Sequence, residues 1–301
     1  MLSIKKYAAI DIGSNAVRLL ISNVIEEKGK PVRFKKNSLV RVPIRLGADV
    51  FIKQRISKEN IKRMLDTMLA FKLLMQSHKV VKYKACATSA MRESKNGKAV
   101  VDEVLEHAGI NIDIIGGEEE AAIIAATDLN KYIDPEKTYL YVDVGGGSTE
   151  FTVIHRGNQI ISRSFKIGTV RLLNDMVIKE TWHELQQWIE DNAKHYSKIS
   201  VLGSGGNINK IFKISGKPLG KPLSYFYMTS YYNTLQTYSY EERITELDLN
   251  QDRADVIIPA MRIYLSAMKW SGSKNIYVPK IGLADGIIKS IYFDTVSSNT
   301  Q

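Results

Sequence analysis

The chain has 301 residues, 44% of them hydrophobic and 25% charged, with a formal net charge of +10 and a pI near 9.4. This is the composition of an ordinary soluble protein with room for two domains of roughly 100 to 200 residues each. Cys86 is the only cysteine, which excludes an intrachain disulfide and points to a reducing compartment, while the positive excess favours a polyanionic partner: nucleic acid, an acidic membrane surface or a phosphate-rich small molecule.

In chain order, residues 5–11 are strand-like. The apolar stretch after Lys5 and Lys6 is cut by Asp11, too short for a signal h-region, and nowhere does the chain approach the roughly 20 apolar residues of a spanning helix. The expectation is a cytoplasmic protein with no membrane partner. Residues 17–25 form a second strand and, after the turn-forming EEKGKP, residues 32–42 a third, which makes a meander. Ser57 caps a segment with Ile61, Met64, Leu65, Met68, Leu69 and Leu73 at helical spacing. A strand at 82–87, in which Cys86 reads as a small buried hydrophobe, a helix near 99–108 and a strand at 112–115 follow.

Gly116 and Gly117 break the chain before an apolar-rich helix, placing Glu118, Glu119 and Glu120 in a first turn, where the helix dipole favours carboxylates. Consecutive helix residues lie about 100° apart, so the three cannot all face one cleft. Ile123 and Ile124, three and four positions on, put Glu120 on the packed face and leave Glu118 toward solvent.

The second half repeats the plan, with strands at 138–144, 151–155 and 159–166, helices at 169–178 and 181–195, and a strand at 199–202 running into GSGGN and a short helix. An offset of about 130 residues is a duplicated domain rather than a repeat array. The expected division is 1–126 and 127–301, with the last helix packing back toward the first domain. The chain from Lys217 onward is mainly helical in pattern; its tyrosine-rich PLSYFYMTSYYNTLQTYSYEERI reads as helix-interface packing rather than base stacking, so nucleic acid is not the expected partner. VSSNTQ reads as a frayed tail.

The chemistry concentrates in two stretches, AIDIGSN and YVDVGGGSTE. Each runs an apolar strand into an aspartate and then into a glycine-bearing turn whose backbone N–H groups can approach an anion closely. Rossmann and P-loop turns need a helix after the glycines, whereas Glu150, Phe151, Thr152, Val153 and Ile154 have a strand pattern. The turn is therefore a hairpin tip, and the pair reads as two jaws of one phosphate site.

DIGSNAVRLLI, ATSAMRESKNG, IIGGEEEAA, DVGGGSTEF, GSGGNINKI and RADVIIPA, in this order, resemble the exopolyphosphatase and guanosine pentaphosphate phosphohydrolase (Ppx/GppA) family. The resemblance implies an α/β fold of two duplicated actin-like (ribonuclease H-like) domains, each a mixed five-stranded sheet flanked by helices, with a cleft between them. It further implies magnesium-dependent removal of terminal phosphates from inorganic polyphosphate or guanosine pentaphosphate, with room for a monovalent cation, and a homodimer. The family's G-x-E-E-A pattern maps onto Gly117 to Ala121 and gives Glu120 as the catalytic base, with Glu119 second. Asp143 and Glu150 become the metal ligands, with Asp11 a third candidate, since a small hard cation prefers carboxylate and water oxygens. Ser14, Asn15, Gly145, Gly146, Gly147 and Ser148 would cradle the phosphates, and Arg92 matches a family arginine suited to them. Arg45 and Arg171 match family positions without a derivable role.

Gly203 to Gly206 stand where nucleotide-using relatives hold adenosine, which leaves an actin-fold kinase or ATPase open; a nonenzymatic polyphosphate sensor is a third class. The chain departs from the family's G-L-R-E-G with Gly282, Leu283, Ala284, Asp285 and Gly286. Its five histidines show no zinc-ligand spacing.

Overall fold

A computed structural model describes residues 2–125, 127, 134–193, 195–196 and 198–298. It divides into two compact units, Met1–Thr127 with Leu283–Gln301, and Asp128–Gly282. Ala126, beside the expected boundary, lies outside the described residues.

Unit 1 begins with the meander β1 (Leu2–Ile12), β2 (Val17–Glu27) and β3 (Arg33–Val42), then α1 (Leu46–Lys53), α2 (Lys58–Ser77), β4 (Lys82–Ala87), α3 (Ser89–Glu93), α4 (Gly97–Ala108), β5 (Ile112–Ile114) and α5 (Gly117–Ala125). The sheet order is β3-β2-β1-β4-β5, antiparallel through the meander and parallel across β1, β4 and β5. The second half of β1 is the centre of this sheet and is covered on both faces, so Tyr7, Ala8, Ala9, Ile10 and Ile12 are all buried rather than alternating. Ser57 caps α2, its hydroxyl accepting from the Asn60 N–H at 3.3 Å, and Gly109 ends α4 with a left-handed φ of 66°.

Unit 2 repeats the order. The meander β6 (Thr138–Val144), β7 (Thr149–His155) and β8 (Asn158–Phe165) leads to α6 (Thr169–Leu173), α7 (Lys179–Ala193), β9 (Ile199–Ser204) and α8 (Gly206–Ile214). β10 (Leu223–Ser224), α9 (Tyr225–Thr237), α10 (Tyr240–Thr245), α11 (Gln251–Ala254), α12 (Ile257–Ser271) and β11 (Asn275–Tyr277) complete it. The sheet order is β10-β11-β9-β6-β7-β8, with β6, β9 and β11 parallel. Its core joins Leu140, Val142, Phe151 and Val153 of the sheet to Trp188, Ile208, Ile263 and Tyr264 of the helices. The actin-like duplication is thus present, with one correction: the second sheet has six strands, because the two-residue β10 pairs antiparallel on the edge of β11.

Two helix ends also differ from expectation. The helix expected over 169–178 stops at Leu173, where Asn174 turns its side-chain amide onto the Val170 carbonyl and Asp175 takes a φ of 52°. α7 ends at Ala193 and Lys194 lies outside the described residues. The last helix, α13 (Leu283–Ser298), belongs to unit 1 and packs on α5 and β1. It approaches α5 so closely at Gly286 that a Cβ there would overlap the Ile123 carbonyl. Val296 to Ser298, expected as tail, are helix, and residues 299–301 lie outside the described residues.

Candidate functional site

The two Asp-bearing turns are the same object built twice. β1 and β2 are joined by Gly13, Ser14, Asn15 and Ala16, and β6 and β7 by Gly145, Gly146, Gly147 and Ser148. Each turn is closed by a hydrogen bond from its first amide to its fourth carbonyl, Gly13 to Ala16 at 3.1 Å and Gly145 to Ser148 at 2.9 Å. That closure is why the first residue is glycine: a Cβ would stand 3.3 Å from the Ala16 oxygen and 2.9 Å from the Ser148 oxygen.

The unit 2 turn is tied down from behind. The Gly145 and Gly146 carbonyls accept from the Thr169 and Val170 amides at the start of α6, and the Gly147 carbonyl accepts from the Arg171 Nε at 2.7 Å. In a trans peptide the C=O and the following N–H point oppositely, so the N–H groups of Gly146, Gly147 and Ser148 all turn away from α6. They donate to no described residue. Three such donors on a glycine-rich tip have the make-up of an anion nest. The Gly145 N–H, expected among the phosphate donors, instead closes the turn. α6 can come this close only because residue 168 is glycine, where a Cβ would overlap the Gly146 and Gly147 backbone.

In unit 1 the brace is α1, whose Arg45 and Gly47 amides donate to the Asn15 and Ser14 carbonyls at 3.0 and 2.7 Å. The Ser14 hydroxyl is buried and shares a 2.9 Å hydrogen bond with Ser89, the first residue of α3. Arg92, on the same short helix, is exposed and donates to the Ile115 carbonyl at 2.6 Å. It therefore anchors the strand end that leads into the glutamates of α5 and takes neither Glu93 nor Glu118 in the described bonds. In α5 Glu120 is buried while Glu118 and Glu119 are exposed, as the helix phase requires.

The aspartates differ in their neighbours. Asp11 is buried and faces Arg18 across the hairpin, bonded to its Nη1 at 2.6 Å. At the same register in unit 2 Asp143 faces Glu150, another acid. Glu150 is buried and its Oε1 accepts from the hydroxyls of Ser148 and Ser164, each at 2.8 Å. Directly opposed like charges repel across a ladder, an arrangement that a bound cation stabilises. The donor set of two carboxylates and polar hydroxyls fits a small hard cation, although no group of three or more potential His, Cys, Asp or Glu ligands occurs among the described residues.

Burial and these carboxylates shift the titration of the groups around them. Burial first, then the charges of Asp113, Asp11 and Glu119, push the Cys86 thiol up to about 12 against the pull of Lys84. Asp11 is the partner of Cys86 in the parallel pairing of β1 and β4, and the charge of Glu119 reaches the same thiol. Burial, then the charge of Asp143, raises Tyr141 and Tyr264 well above the ordinary phenol range. Gly205 lies against the same aspartate at a φ of 116°, where a Cβ would stand 2.9 Å from the Val144 oxygen and 3.6 Å from Asp143 Oδ1. The GSGGN loop is thus packed on the metal-candidate hairpin. Ser204 donates to the Ile281 carbonyl at 2.9 Å, and the departing Asp285 pairs with Lys36 of β3 at 2.8 Å.

Sequence reasoning missed the work of Gly168, Arg171, Ser89 and Ser164. The available signal was G-T-V-R, a glycine directly before a short helix, the pattern of a close backbone approach.

A duplicated mixed-sheet unit with an acid before each hairpin tip defines the actin-like class of two-unit α/β proteins. Within that class the model of the Ppx/GppA phosphatase family matches residues 38–293, and the chain belongs to this family. It is 31% identical over 217 residues to the bifunctional 3-dehydroquinate synthase/phosphatase of Fusobacterium nucleatum, covering 65% of this chain but only 32% of that one. A provisionally named exopolyphosphatase of Haemophilus influenzae is 25% identical over 308 residues, 96% of this chain and 92% of the relative. Among solved structures, the Aquifex aeolicus family member superposes with a TM-score of 0.75 at 25% identity, covering 97% of this chain and 99% of that one. The chain spans about a third of the length of the Fusobacterium relative. No helix among the described residues is long and apolar enough to cross a membrane.

Proposed function

We propose that the chain is an exopolyphosphatase, hydrolysing the terminal phosphoanhydride of inorganic polyphosphate to release orthophosphate. The observation that carries the reading is the Gly145 to Ser148 turn, whose carbonyls are bound behind it and whose next three amides are left for an anion. Family membership supplies the reaction class, and the full-length likeness to the Haemophilus protein favours polyphosphate. The excess positive charge suits a substrate with about one negative charge per phosphate.

In this mechanism Glu120, with Glu119 as the second candidate, orients a water and takes its proton as the oxygen attacks the terminal phosphorus. The bond to the bridging oxygen breaks and leaves a polyphosphate shorter by one. The N–H groups of Gly146, Gly147 and Ser148 and the Ser14 and Asn15 turn hold phosphate oxygens. Asp143 and Glu150 would hold magnesium, which when bound offsets the charge on those oxygens. Asp11, committed to Arg18, is the weakest candidate ligand. The setting is a cytoplasmic homodimer.

Phosphate release from polyphosphate, guanosine pentaphosphate and ATP tests the reading. Polyphosphate should be the preferred substrate, and Glu120→Ala with Glu119→Ala should lower kcat by at least about 100-fold, as expected for loss of a general base. Unchanged release by the double variant sinks the assignment of the base; preference for guanosine pentaphosphate, the substrate class named for a Photobacterium profundum relative 24% identical over 299 residues, would replace the proposed substrate.

A further inference from the structure

Unit 1 carries a basic groove that none of the chemistry above uses. A groove of about 710 Å3 lies where α1 ends and α2 begins, lined by Lys53, Arg55, Lys58 and Lys62 with Glu103 as its one acidic wall residue. All four cations are exposed, and their side chains form no ion pair or hydrogen bond with any described residue. The nearby acids offset them only in part, Asp49 and Lys53 attracting each other through their charges. Asp49 is spent on the Ser57 amide and the Asn60 side chain, and Glu59 stands alone in the first turn of α2. Four like charges held around one concavity repel each other, an arrangement that an anion relieves. The 20-residue α2 adds the positive end of its dipole.

The floor is rigid. The buried Asn96 side chain accepts from the Ile56 amide at 2.9 Å and donates to the Ile56 carbonyl at 3.0 Å, and the Lys95 amide donates to Gln54, so the α1–α2 and α3–α4 connections are stapled together. These same two helices, α1 and α3, begin at the Ser14 turn: Gly47 N–H holds the Ser14 carbonyl and Ser89 holds its hydroxyl. Eight residues of helix place Lys53 about 12 Å from that turn. The groove therefore sits within one short helix of the unit 1 phosphate turn.

We propose that this groove is a second binding site for the polyphosphate chain, taking a segment distant from the hydrolysed end and so favouring long substrates. The identity of the occupant rests on the exopolyphosphatase reading. The lining itself contains no aromatic residue, which denies a nucleic acid the stacking surface it would need and leaves backbone phosphates as the only recognisable chemistry.

The test compares the wild-type chain with Lys53→Gln, Lys58→Gln, Lys62→Gln, and with a control of equal charge loss on exposed unit 2 residues, Lys213→Gln, Lys221→Gln, Lys269→Gln. For long-chain polyphosphate the groove variant should raise KM about tenfold at unchanged kcat and flatten the dependence of log KM on log salt by about 2, the counterion release of three lost contacts. KM for tripolyphosphate, too short to reach, should not move, and the control should match wild type. An equal shift for both substrates, an equal effect of the control, or no effect overturns the site. If no phosphate compound is turned over, the hydrolase reading has failed separately. Equilibrium binding of labelled long-chain polyphosphate to the same three proteins then decides the groove: selective weakening in the groove variant supports it, and equal binding by all three overturns it. Competition by an oligothymidylate as strong as by polyphosphate overturns the choice of occupant.

Discussion

Gly168 and Arg171 fix the Gly145 to Ser148 turn, the proposed phosphate cradle, from its far side. A methyl group at 168 has nowhere to go, because the atoms it meets are the Gly146 and Gly147 backbone rather than a flexible side chain. Gly168→Ala should therefore displace the turn, costing about 1–3 kcal/mol as overpacking does, and cut phosphate release far more than it lowers stability. Gly13→Ala, with 3.3 Å to the nearest oxygen, should be the milder change. Arg171 is buried and makes a charged hydrogen bond to the Gly147 carbonyl, so Arg171→Ala should cost about 1.5–3 kcal/mol in denaturant unfolding, and Arg171→Lys should not restore activity because an ammonium lacks the directed Nε donor. If both variants kept wild-type kcat, the turn would not be the phosphate cradle. These residues show what the sequence conceals. Asp11, Asp143 and the glycines are legible because a strand, an acid and a turn residue are contiguous. Arg171 acts 24 positions beyond the carbonyl it holds, and nothing in the local pattern links the two.

α2 was legible for the opposite reason: its signals are local. The apolar spacing and the Ser57 cap are read from neighbouring letters, and the structure returns both. The cap has a second layer in Asp49. Burial alone would raise that carboxyl, but the hydrogen bonds from the Ser57 side chain and amide and from Asn60, with the charge of Lys53, outweigh it and hold the group below its ordinary 3.8. A folded pKa below the unfolded one gives stability that is complete above the unfolded value and is lost as pH falls through the folded one. Asp49→Asn should accordingly lower the unfolding midpoint at neutral pH, and the gap from wild type should close as the pH drops well below 3.8; a gap independent of pH would show that the carboxylate charge is not what stabilises the cap. β11 was missed because three residues carry no periodicity, and its place is set by β9 beside it rather than by its own letters. The overextended α6 failed for a related reason, since Asn174 and Asp175 form local bonds and a left-handed turn that compete with helix.

At the scale of the whole chain, duplication allows each unit to serve as the other's control. The order of strands, the four-residue turn, its closing hydrogen bond and the acid two residues before it all recur, and this was readable from two short motifs. The charge opposite that acid does not recur. Arg18 supplies a permanent cation to Asp11, whereas Glu150 gives Asp143 a like-charged partner at the same register. If both hairpins bound magnesium equally, this difference would be without consequence. If the second alone needs a cation, magnesium should stabilise the protein through unit 2 acids: binding only the folded state raises stability by about 2.7 kcal/mol at a hundredfold excess over Kd. A magnesium-dependent rise in thermal midpoint is therefore expected for wild type and for Asp11→Asn, and should vanish in Asp143→Asn and in Glu150→Gln. Each of those two should also be more stable than wild type in the absence of the metal, because removing one of two facing carboxylates removes their repulsion. A magnesium shift lost in Asp11→Asn but kept in the unit 2 variants would move the ion to the first hairpin and overturn the assignment.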